Sequence, residues 1–273
     1  HTIFALPFAF IGFFLAVFKV NAQLNWTTLG LVVLCMVFAR SAAMAFNRYL
    51  DRDIDVGNER TAIREIPAGI IQPKSALLFV IVNSLLFIAT TFFINNLCFY
   101  LSPVALAVIL GYSFTKRFTA LCHVVLGIGL ALAPIGSFLA VTGEFMFLPL
   151  LFSFAVLFWV SGFDILYALQ DQAFDKSNQL HSIPVWLGTK NSMNLSNAFH
   201  IITGCCIIYA GYFGEFDWLY WVGTSLFCGL LIYQHTLVKP GDLSKINLAF
   251  FTTNGVASVV FAVFVIADMY LLT

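Results

Sequence analysis

Long apolar segments alternate with short polar connections along the whole chain. A membrane-spanning helix needs about 20 mostly apolar residues, and nine segments approach that length. The pattern therefore predicts an all-α membrane protein with nine transmembrane helices. The predicted spans are residues 2–20, 27–50, 75–94, 97–114, 121–141, 145–168, 193–213, 218–237 and 247–271.

Composition supports a polytopic membrane protein. Of the 273 residues, 61% are hydrophobic and 10% are charged, whereas soluble domains contain about 25% charged residues. The formal net charge is zero, so we expect no nucleic-acid partner. We expect one polytopic domain over residues 1–273. Because numbering starts at His1, beside an apolar run and without methionine, we also expect a natural N-terminal segment to precede it.

Basic residues in the connections favour one side of the membrane. Lys19 alone lies in a connection on the opposite side. The positive-inside rule places the basic side, and with it the N-terminus, in the cytoplasm. The eleven basic residues on that side are Arg48, Arg52, Arg60, Arg64, Lys74, Lys116, Arg117, Lys176, Lys190, Lys239 and Lys245.

One segment concentrates charge where a membrane protein should have little. Ten of the chain's 13 basic and 13 acidic residues fall between Arg40 and Glu65. Within this segment Asn47, Asp51 and Asp55 are spaced four apart. Residues with that spacing share one face of a helix, so they predict a polar stripe at the cytoplasmic end of the second span.

A second acidic stripe follows the sixth span. Asp171 and Asp175 repeat the four-residue spacing, and Asp164 lies seven residues earlier on the same face. Mg²⁺ prefers oxygen ligands and is commonly held by one or two carboxylates together with phosphate oxygens. Two such pairs predict a site for a diphosphate bound through Mg²⁺. The alternative is a solvated helix end in which these acids pair with Arg48, Arg52, Arg60 and Lys176.

Three stretches resemble a known family. NRYLDRDIDVGNERTAIREIPAG, YSFTKRFT and YALQDQAFDKSNQLHSIPVWLG are similar to the signatures of the UbiA-type intramembrane polyprenyltransferases. The resemblance runs the length of the chain. It implies a helical bundle around a central cavity, dependence on Mg²⁺, and transfer of a polyprenyl group from polyprenyl diphosphate to an aromatic acceptor. It also implies the inner (cytoplasmic) membrane of a bacterium, with membrane lipid around the helices.

The resemblance implies roles for individual residues. Asn47, Asp51 and Asp55 match the first aspartate-rich element, and Asp171 and Asp175 match the second. We therefore expect the four aspartates to bind metal and Asn47 to bind diphosphate. Glu65 and Gln179 depart from the family pattern, where proline and glycine are usual. These departures concern the geometry of the loops rather than the ligands.

Further basic and aromatic residues complete the predicted diphosphate end. Arg64 matches an arginine of the family, and Tyr167 matches the tyrosine before the second motif. Arg64, Lys116 and Arg117 are candidate diphosphate ligands, because guanidinium groups bind phosphate oxygens bidentately. Anchoring of a span at the interface explains Lys116 and Arg117 equally well. Tyr167 and Tyr112 are candidates to stabilise an allylic cation.

Two charged residues lie deeper in the predicted spans. Asp164 is a candidate catalytic base, because burial raises the pKa of a carboxyl group. The alternative is a buried acid that is paired with a basic residue or satisfied by hydrogen bonds. Arg40 lies seven residues before Asn47, and a lone arginine at membrane depth requires an anion. We expect it to bind the carboxylate of the acceptor, although pairing with Asp164 would satisfy it as well.

Several acceptors and reactions fit these features. The first choice is a small aromatic acid such as 4-hydroxybenzoate, prenylated in respiratory quinone biosynthesis. The stretches HTIFALPFAFIGF and YALQD also look like members that act on 1,4-dihydroxy-6-naphthoate in the futalosine route to menaquinone. A CDP-alcohol phosphotransferase would need a DGxxAR block, which is missing. A transporter would place its substrate site near the midplane of the membrane, whereas these acids lie at one interface.

Overall fold

Helices make up almost all of the chain. The computed structural model describes residues 2–272; His1 and Thr273, the ends of the predicted domain, lie outside them. Over residues 2–272 the only extended pairing is an isolated bridge between Lys239 and Asp242, so the expected all-α fold is confirmed. The helices are α1 (Thr2–Lys19), α2 (Trp26–Asp55), α3 (Pro73–Phe92), α4 (Asn96–Thr115), α5 (Cys122–Thr142), α6 (Phe147–Ala168), α7 (Gln172–Ser177), α8 (Ile183–Phe213), α9 (Trp218–Leu237) and α10 (Asn254–Leu271).

Each predicted span corresponds to a helix. The long helices α2 to α6 and α8, together with the segment Leu248–Leu271, are long and apolar enough to cross a membrane. Leu248–Leu271 consists of a π-helical turn, Leu248–Thr253, followed by α10. The remaining two predicted spans are α1, whose apolar part is shorter, and α9. The chain is therefore an integral membrane protein with seven span candidates within residues 2–272.

The N-terminus of α8 follows from its local sequence. Ser182 caps the helix by accepting a hydrogen bond from the Val185 N–H (3.4 Å), and Pro184 lies in the first turn. Both residues favour a helix start. One turn later the helix is interrupted at Gly188, whose φ of 74° lies in the left-handed region that glycine tolerates. A kink at Gly188 thus separates the first turn of α8, which follows the second aspartate motif, from the rest of the helix.

An aromatic core holds one half of the bundle together. Phe8, Trp159, Phe227 and Phe261, from α1, α6, α9 and α10, are almost completely buried. Their ring centroids lie 5.2–6.3 Å apart in tilted and edge-on pairs. Such pairs add about 0.5–1.5 kcal/mol each to the burial of the rings. This half supplies the rigid wall on which α6 presents its polar residues.

The other half of the bundle is hollow. Helices α2, α3, α4 and α5 surround an apolar cavity of about 380 Å³. Helix α2 has few buried side chains, and in its last two turns the buried ones are Asp51 and Asp55. The acidic stripe therefore points into the protein, whereas much of the apolar surface of α2 faces away from the packed interior.

A close contact between α5 and α6 places their polar residues side by side. A Cβ atom added to Gly127 of α5 would lie 2.4 Å from Ser161 Oγ and 2.5 Å from the Leu157 carbonyl oxygen of α6. No side chain larger than hydrogen fits at that separation. One turn from this contact, His123 on α5 meets Asp164 on α6.

The close contact predicts the effect of a single methyl group. Gly127→Ala must push α5 away from α6, and we expect overpacking of this kind to cost about 1–3 kcal/mol. Thermal unfolding of the purified protein in detergent should show a lower Tm. Gly229→Ala is the control, because a Cβ at Gly229 meets nothing within 4 Å and alanine favours a helix. Equal Tm values for the two variants would contradict the packing argument.

Candidate active site

Nearly all of the predicted polar residues line one cavity at the C-terminal ends of α2, α4 and α6. Its volume is about 230 Å³. Among the predicted site residues, only Arg117 and Arg40 are absent from its lining; Arg117 binds a residue that lines it, and Arg40 lines the apolar cavity instead. The predicted residues in the lining are Asn47, Asp51, Asp55, Arg64, Tyr112, Lys116, Asp164, Tyr167, Asp171 and Asp175.

The first aspartate of α2 is buried among cations. Asp51 is 1% exposed, and its carboxylate lies 2.8 Å from Lys116 Nζ and 3.0 Å from Arg117 Nη2. The Asn47 amide also donates to it, at 3.2 Å. Arg117 is held in place by further hydrogen bonds to the carbonyl oxygens of Ser113 and Leu50. Burial of this carboxylate is tolerated because two positive charges compensate it.

The next turn of α2 repeats the arrangement. Asp55 is 4% exposed, and Arg64 Nη1 donates to both of its oxygens, at 2.9 and 2.8 Å. Asp53, between the two buried acids in sequence, lies on the opposite face and meets only Arg52, at 3.5 Å on the surface. The four-residue spacing thus separates interior acids from a solvated one.

The second motif faces the first across the cavity. After α6 a 3₁₀ turn, Leu169–Asp171, leads directly into α7, which carries Asp175. Arg60 binds Asp171 with two hydrogen bonds, of 3.2 and 2.5 Å, and the Asn58 amide adds a third at 3.2 Å. Partial burial lowers the pKa of the Arg60 guanidinium, but the hydrogen bonds and charge of Asp171 outweigh this, so the pKa is raised. Arg60 therefore remains a cation.

Tyr167 is surrounded by a cation and two aromatic rings. Its ring stacks on Phe250 at a centroid distance of 4.0 Å and meets Phe251 edge-on at 6.0 Å. Both phenylalanines belong to the π-helical turn before α10. Arg60 donates to the Tyr167 hydroxyl at 3.3 Å and lies over the ring, 5.5 Å from its centroid. The ring thus already takes part in a cation–π interaction.

The two deep charges have different environments. Asp164 is bound by His123, with Oδ2 2.7 Å from Nδ1, so it is hydrogen-bonded rather than isolated. Arg40 lines the apolar cavity beside Tyr112, and no hydrogen bond or ion pair joins it to another residue within 2–272. Pairing between Arg40 and Asp164, the alternative considered above, is therefore not observed.

Three residues of the site were not predicted as functional. Arg60 was considered only as a structural partner of the acids, and Asn58 and His123 were not assigned a role. Arg60 and Asn58 lie in the turn region after α2, where no helical periodicity relates them to Asp171. His123 stands at the start of α5, and only the packing of α5 against α6 brings it to Asp164.

The side chains at the cavity suit Mg²⁺ that is bound together with a phosphate better than a metal ion held by protein ligands alone. Across the described part of the chain, no three His, Cys, Asp or Glu side chains form a ready-made metal centre. Five carboxylates lie at the cavity instead, and four of the surrounding side chains are cationic. Mg²⁺ needs only one or two protein carboxylates when phosphate oxygens and water complete its shell. The residues therefore fit this ion.

Comparison with known proteins identifies the family. The model of the UbiA prenyltransferase family matches residues 5–256. The chain therefore belongs to the UbiA prenyltransferase family, and the resemblance predicted from its motifs is confirmed. It is a prenyltransferase by that membership, which leaves the phosphotransferase and transporter alternatives without support.

Individual relatives agree with the family match. A 4-hydroxybenzoate octaprenyltransferase from Nitrosomonas europaea is 32% identical over 230 residues, which cover 84% of this chain and 78% of the relative. A protein of the same name from Nitrosospira multiformis is 30% identical over 84% of this chain and 79% of its own length. These names describe the relatives themselves.

Solved structures share the fold. The apo structure of a UbiA homologue from Aeropyrum pernix K1 matches with a TM-score of 0.89 and 31% identity over 98% of both chains. A UbiA homologue from Archaeoglobus fulgidus bound to GPP and Mg²⁺ matches with a TM-score of 0.72 and 21% identity, over 99% of this chain and 96% of that one. At this lower identity the second match supports the fold alone.

Proposed function

We propose that this protein transfers a polyprenyl group from polyprenyl diphosphate to 4-hydroxybenzoate, with Mg²⁺, as a step of respiratory quinone biosynthesis. The proposal is supported chiefly by the contact between two cavities, one polar and one apolar. The polar cavity with the aspartates and the apolar cavity share Tyr112 and Leu126 in their linings. An amphiphile with an anionic head and a hydrocarbon tail matches this combination.

The head of the substrate suits the polar cavity. Arg64, Lys116 and Arg117 now bind Asp51 and Asp55, and a diphosphate would compete for the same cations. Each exchange releases an oxygen of Asp51 or Asp55, and these carboxylates would then be available to Mg²⁺ together with Asp171 and Asp175 across the cavity. When bound, the ion neutralises charge on the diphosphate and stabilises it as a leaving group.

The reaction needs a leaving group, a nucleophile and a proton acceptor. The allylic C–O bond breaks and its electron pair leaves with the diphosphate, while the acceptor ring forms a new C–C bond ortho to its phenolic oxygen. Tyr167 would stabilise the positive charge on the allylic fragment by about 0.5–2 kcal/mol once Arg60, which now lies over its ring, has turned toward the diphosphate. Asp164 takes the proton that the ring carbon loses.

Arg40 supplies the binding group for the acceptor. It is a cation in the wall of an apolar cavity and has no anionic partner within residues 2–272. A charge in such surroundings is stabilised by an anion, and 4-hydroxybenzoate carries a carboxylate. The names of the relatives favour this acceptor. 1,4-Dihydroxy-6-naphthoate is also a phenolic carboxylate, and Arg40 would bind it in the same way.

The arrangement in the membrane follows from the same residues. We propose one domain with nine transmembrane helices, including α1 and α9, in the inner membrane of a bacterium. The polar cavity would face the cytoplasm, because the connections beside it carry most of the basic residues. The substrate tail would then reach the apolar cavity, with the membrane lipid beside it.

The direct test is product formation by the purified protein in detergent, with Mg²⁺ and one polyprenyl diphosphate. We expect 4-hydroxybenzoate to be prenylated at carbon. If only 1,4-dihydroxy-6-naphthoate gives product, that compound is the acceptor instead, and the assignment as a prenyl transfer stands. Absence of product from either acceptor, for protein that remains folded, would contradict the proposal.

Two neighbouring aspartates provide a matched pair of variants. Asp51→Asn removes the buried carboxylate beside Lys116 and Arg117, and we expect kcat/KM to fall by about 100-fold or more. Asp53→Asn removes the same chemical group from the exposed face of α2 and should leave kcat/KM unchanged. Initial rates of both variants measure the difference; equal rates would show that the position of the carboxylate on the helix is irrelevant.

Arg40 is tested through the acceptor alone. Arg40→Ala should raise KM for 4-hydroxybenzoate about tenfold or more, because a hydrogen bond to a charged group contributes about 1.5–3 kcal/mol. KM for the polyprenyl diphosphate should stay constant, and Arg40→Lys, which keeps the charge, should have a smaller effect. An unchanged acceptor KM in Arg40→Ala would remove this role.

A further inference from the structure

A hydrogen-bonded chain joins the deep carboxylate of the cavity to the segment that follows the second aspartate motif. His123 Nδ1 lies 2.7 Å from Asp164 Oδ2, and the Ile183 N–H donates to His123 Nε2 at 3.4 Å. The His123 side chain is 5% exposed, whereas that of Asp164 is 20% exposed. The histidine is therefore inside the protein, while the carboxylate that it binds reaches the cavity.

The backbone donor determines which ring nitrogen of His123 carries the proton. An amide N–H can only donate, so Nε2 must offer its lone pair to Ile183. The proton of the neutral imidazole is then on Nδ1, which faces Asp164 Oδ2. A histidine oriented in this way by one partner acts as a fixed donor to the other.

The surroundings give the ring little freedom. His123 lies at the start of α5, where α5 approaches α6 at Gly127. The segment before α8 is fixed near this point by a second bond, in which the His181 N–H donates to the Lys116 carbonyl oxygen at 2.7 Å. Movement of the segment that contains Ile183 would consequently change the donor that Asp164 receives.

We propose that His123 is the positioning residue for Asp164. It binds Oδ2 and leaves Oδ1, which has no hydrogen-bond partner among the described side chains, to take the proton from the acceptor ring. It also makes the orientation of Asp164 depend on the segment after the second motif. This inference rests on the proposed function, and specifically on Asp164 as the proton acceptor.

We expect His123 to affect the orientation of Asp164 rather than the binding of the substrates. His123 does not belong to the cation set that would hold the diphosphate, and it is not in contact with Arg40. Its loss should therefore lower the rate of the chemical step and leave substrate binding largely intact. When Oδ1 of Asp164 takes the ring proton, the Nδ1–H bond to Oδ2 remains, so the histidine itself neither gains nor loses a proton.

Two amide substitutions test the two hydrogen bonds of His123 separately. In His123→Asn the side-chain NH₂ replaces Nδ1 as donor to Asp164, and the bond to Ile183 is lost. In His123→Gln the longer side chain places an acceptor near Ile183, and the donor to Asp164 is lost. His235→Gln is the matched control, because His235 is a partly buried histidine that contacts His200 outside the polar cavity.

The measurements are kcat, both KM values and Tm for the full chain with Mg²⁺, polyprenyl diphosphate and 4-hydroxybenzoate. We expect His123→Gln to lower kcat about tenfold or more, the usual effect of removing a partner that orients a functional group. Both KM values should stay within about twofold of wild type. His123→Asn should lie closer to wild type, and His235→Gln should match it.

A double variant distinguishes positioning from a general loss of stability. If His123 acts through Asp164, adding His123→Gln to Asp164→Asn should not lower kcat further. A further tenfold loss in the double variant, or full kcat in His123→Gln alone, would overturn the proposal. So would an Asp164→Asn variant with wild-type kcat. A wild-type protein that forms no product would instead contradict the proposed function itself.

Discussion

Carboxylates buried at the edge of a membrane must be neutralised, and the polar half of this protein is organised by that requirement. Asp51 and Asp55 are almost fully buried, and an unpaired charge in such a position costs several kcal/mol. Both carboxylates are paired with cations: Lys116 and Arg117, which follow α4, and Arg64, from the connection after α2. The same cations and carboxylates can exchange partners when an anion and a divalent metal ion enter together.

The two halves of the bundle serve this site in different ways. The aromatic core around Trp159 makes α6 a rigid support for Asp164 and Tyr167. The hollow half, lined by α2 to α5, provides space for an apolar chain. Since both cavities reach Tyr112 and Leu126, the reactive carbon of a bound prenyl diphosphate would lie near the boundary between them.

Much of the fold and site could be predicted because it depends on local periodicity. Apolar segments of sufficient length predicted the helices, and the four-residue spacing placed Asp51 and Asp55 on one face of α2 and left Asp53 on the other. The count of nine spans is harder, because α1 is short and α9 carries Gln234 and His235 in its last turns. Length and apolarity therefore support seven of the nine predicted spans within residues 2–272.

Contacts between distant segments could not be predicted in this way. The bond between Arg60 and Asp171 joins residues 111 apart in sequence, and that between His123 and Asp164 joins residues 41 apart. Each depends on how close two helices or connections approach, which is decided by small residues such as Gly127. The spacing of the acids predicted that they lie together, and they line one cavity, but their partners emerged only from the packing.

The role proposed for the aspartates is to bind a prenyl diphosphate through Mg²⁺. The most direct measurement is calorimetric binding of geranyl diphosphate to the purified protein, without acceptor, in Mg²⁺ and again in excess EDTA. We expect saturable binding that requires Mg²⁺, because without the ion the carboxylates repel the diphosphate and keep the neighbouring cations occupied. Equal affinity with and without Mg²⁺ would contradict it.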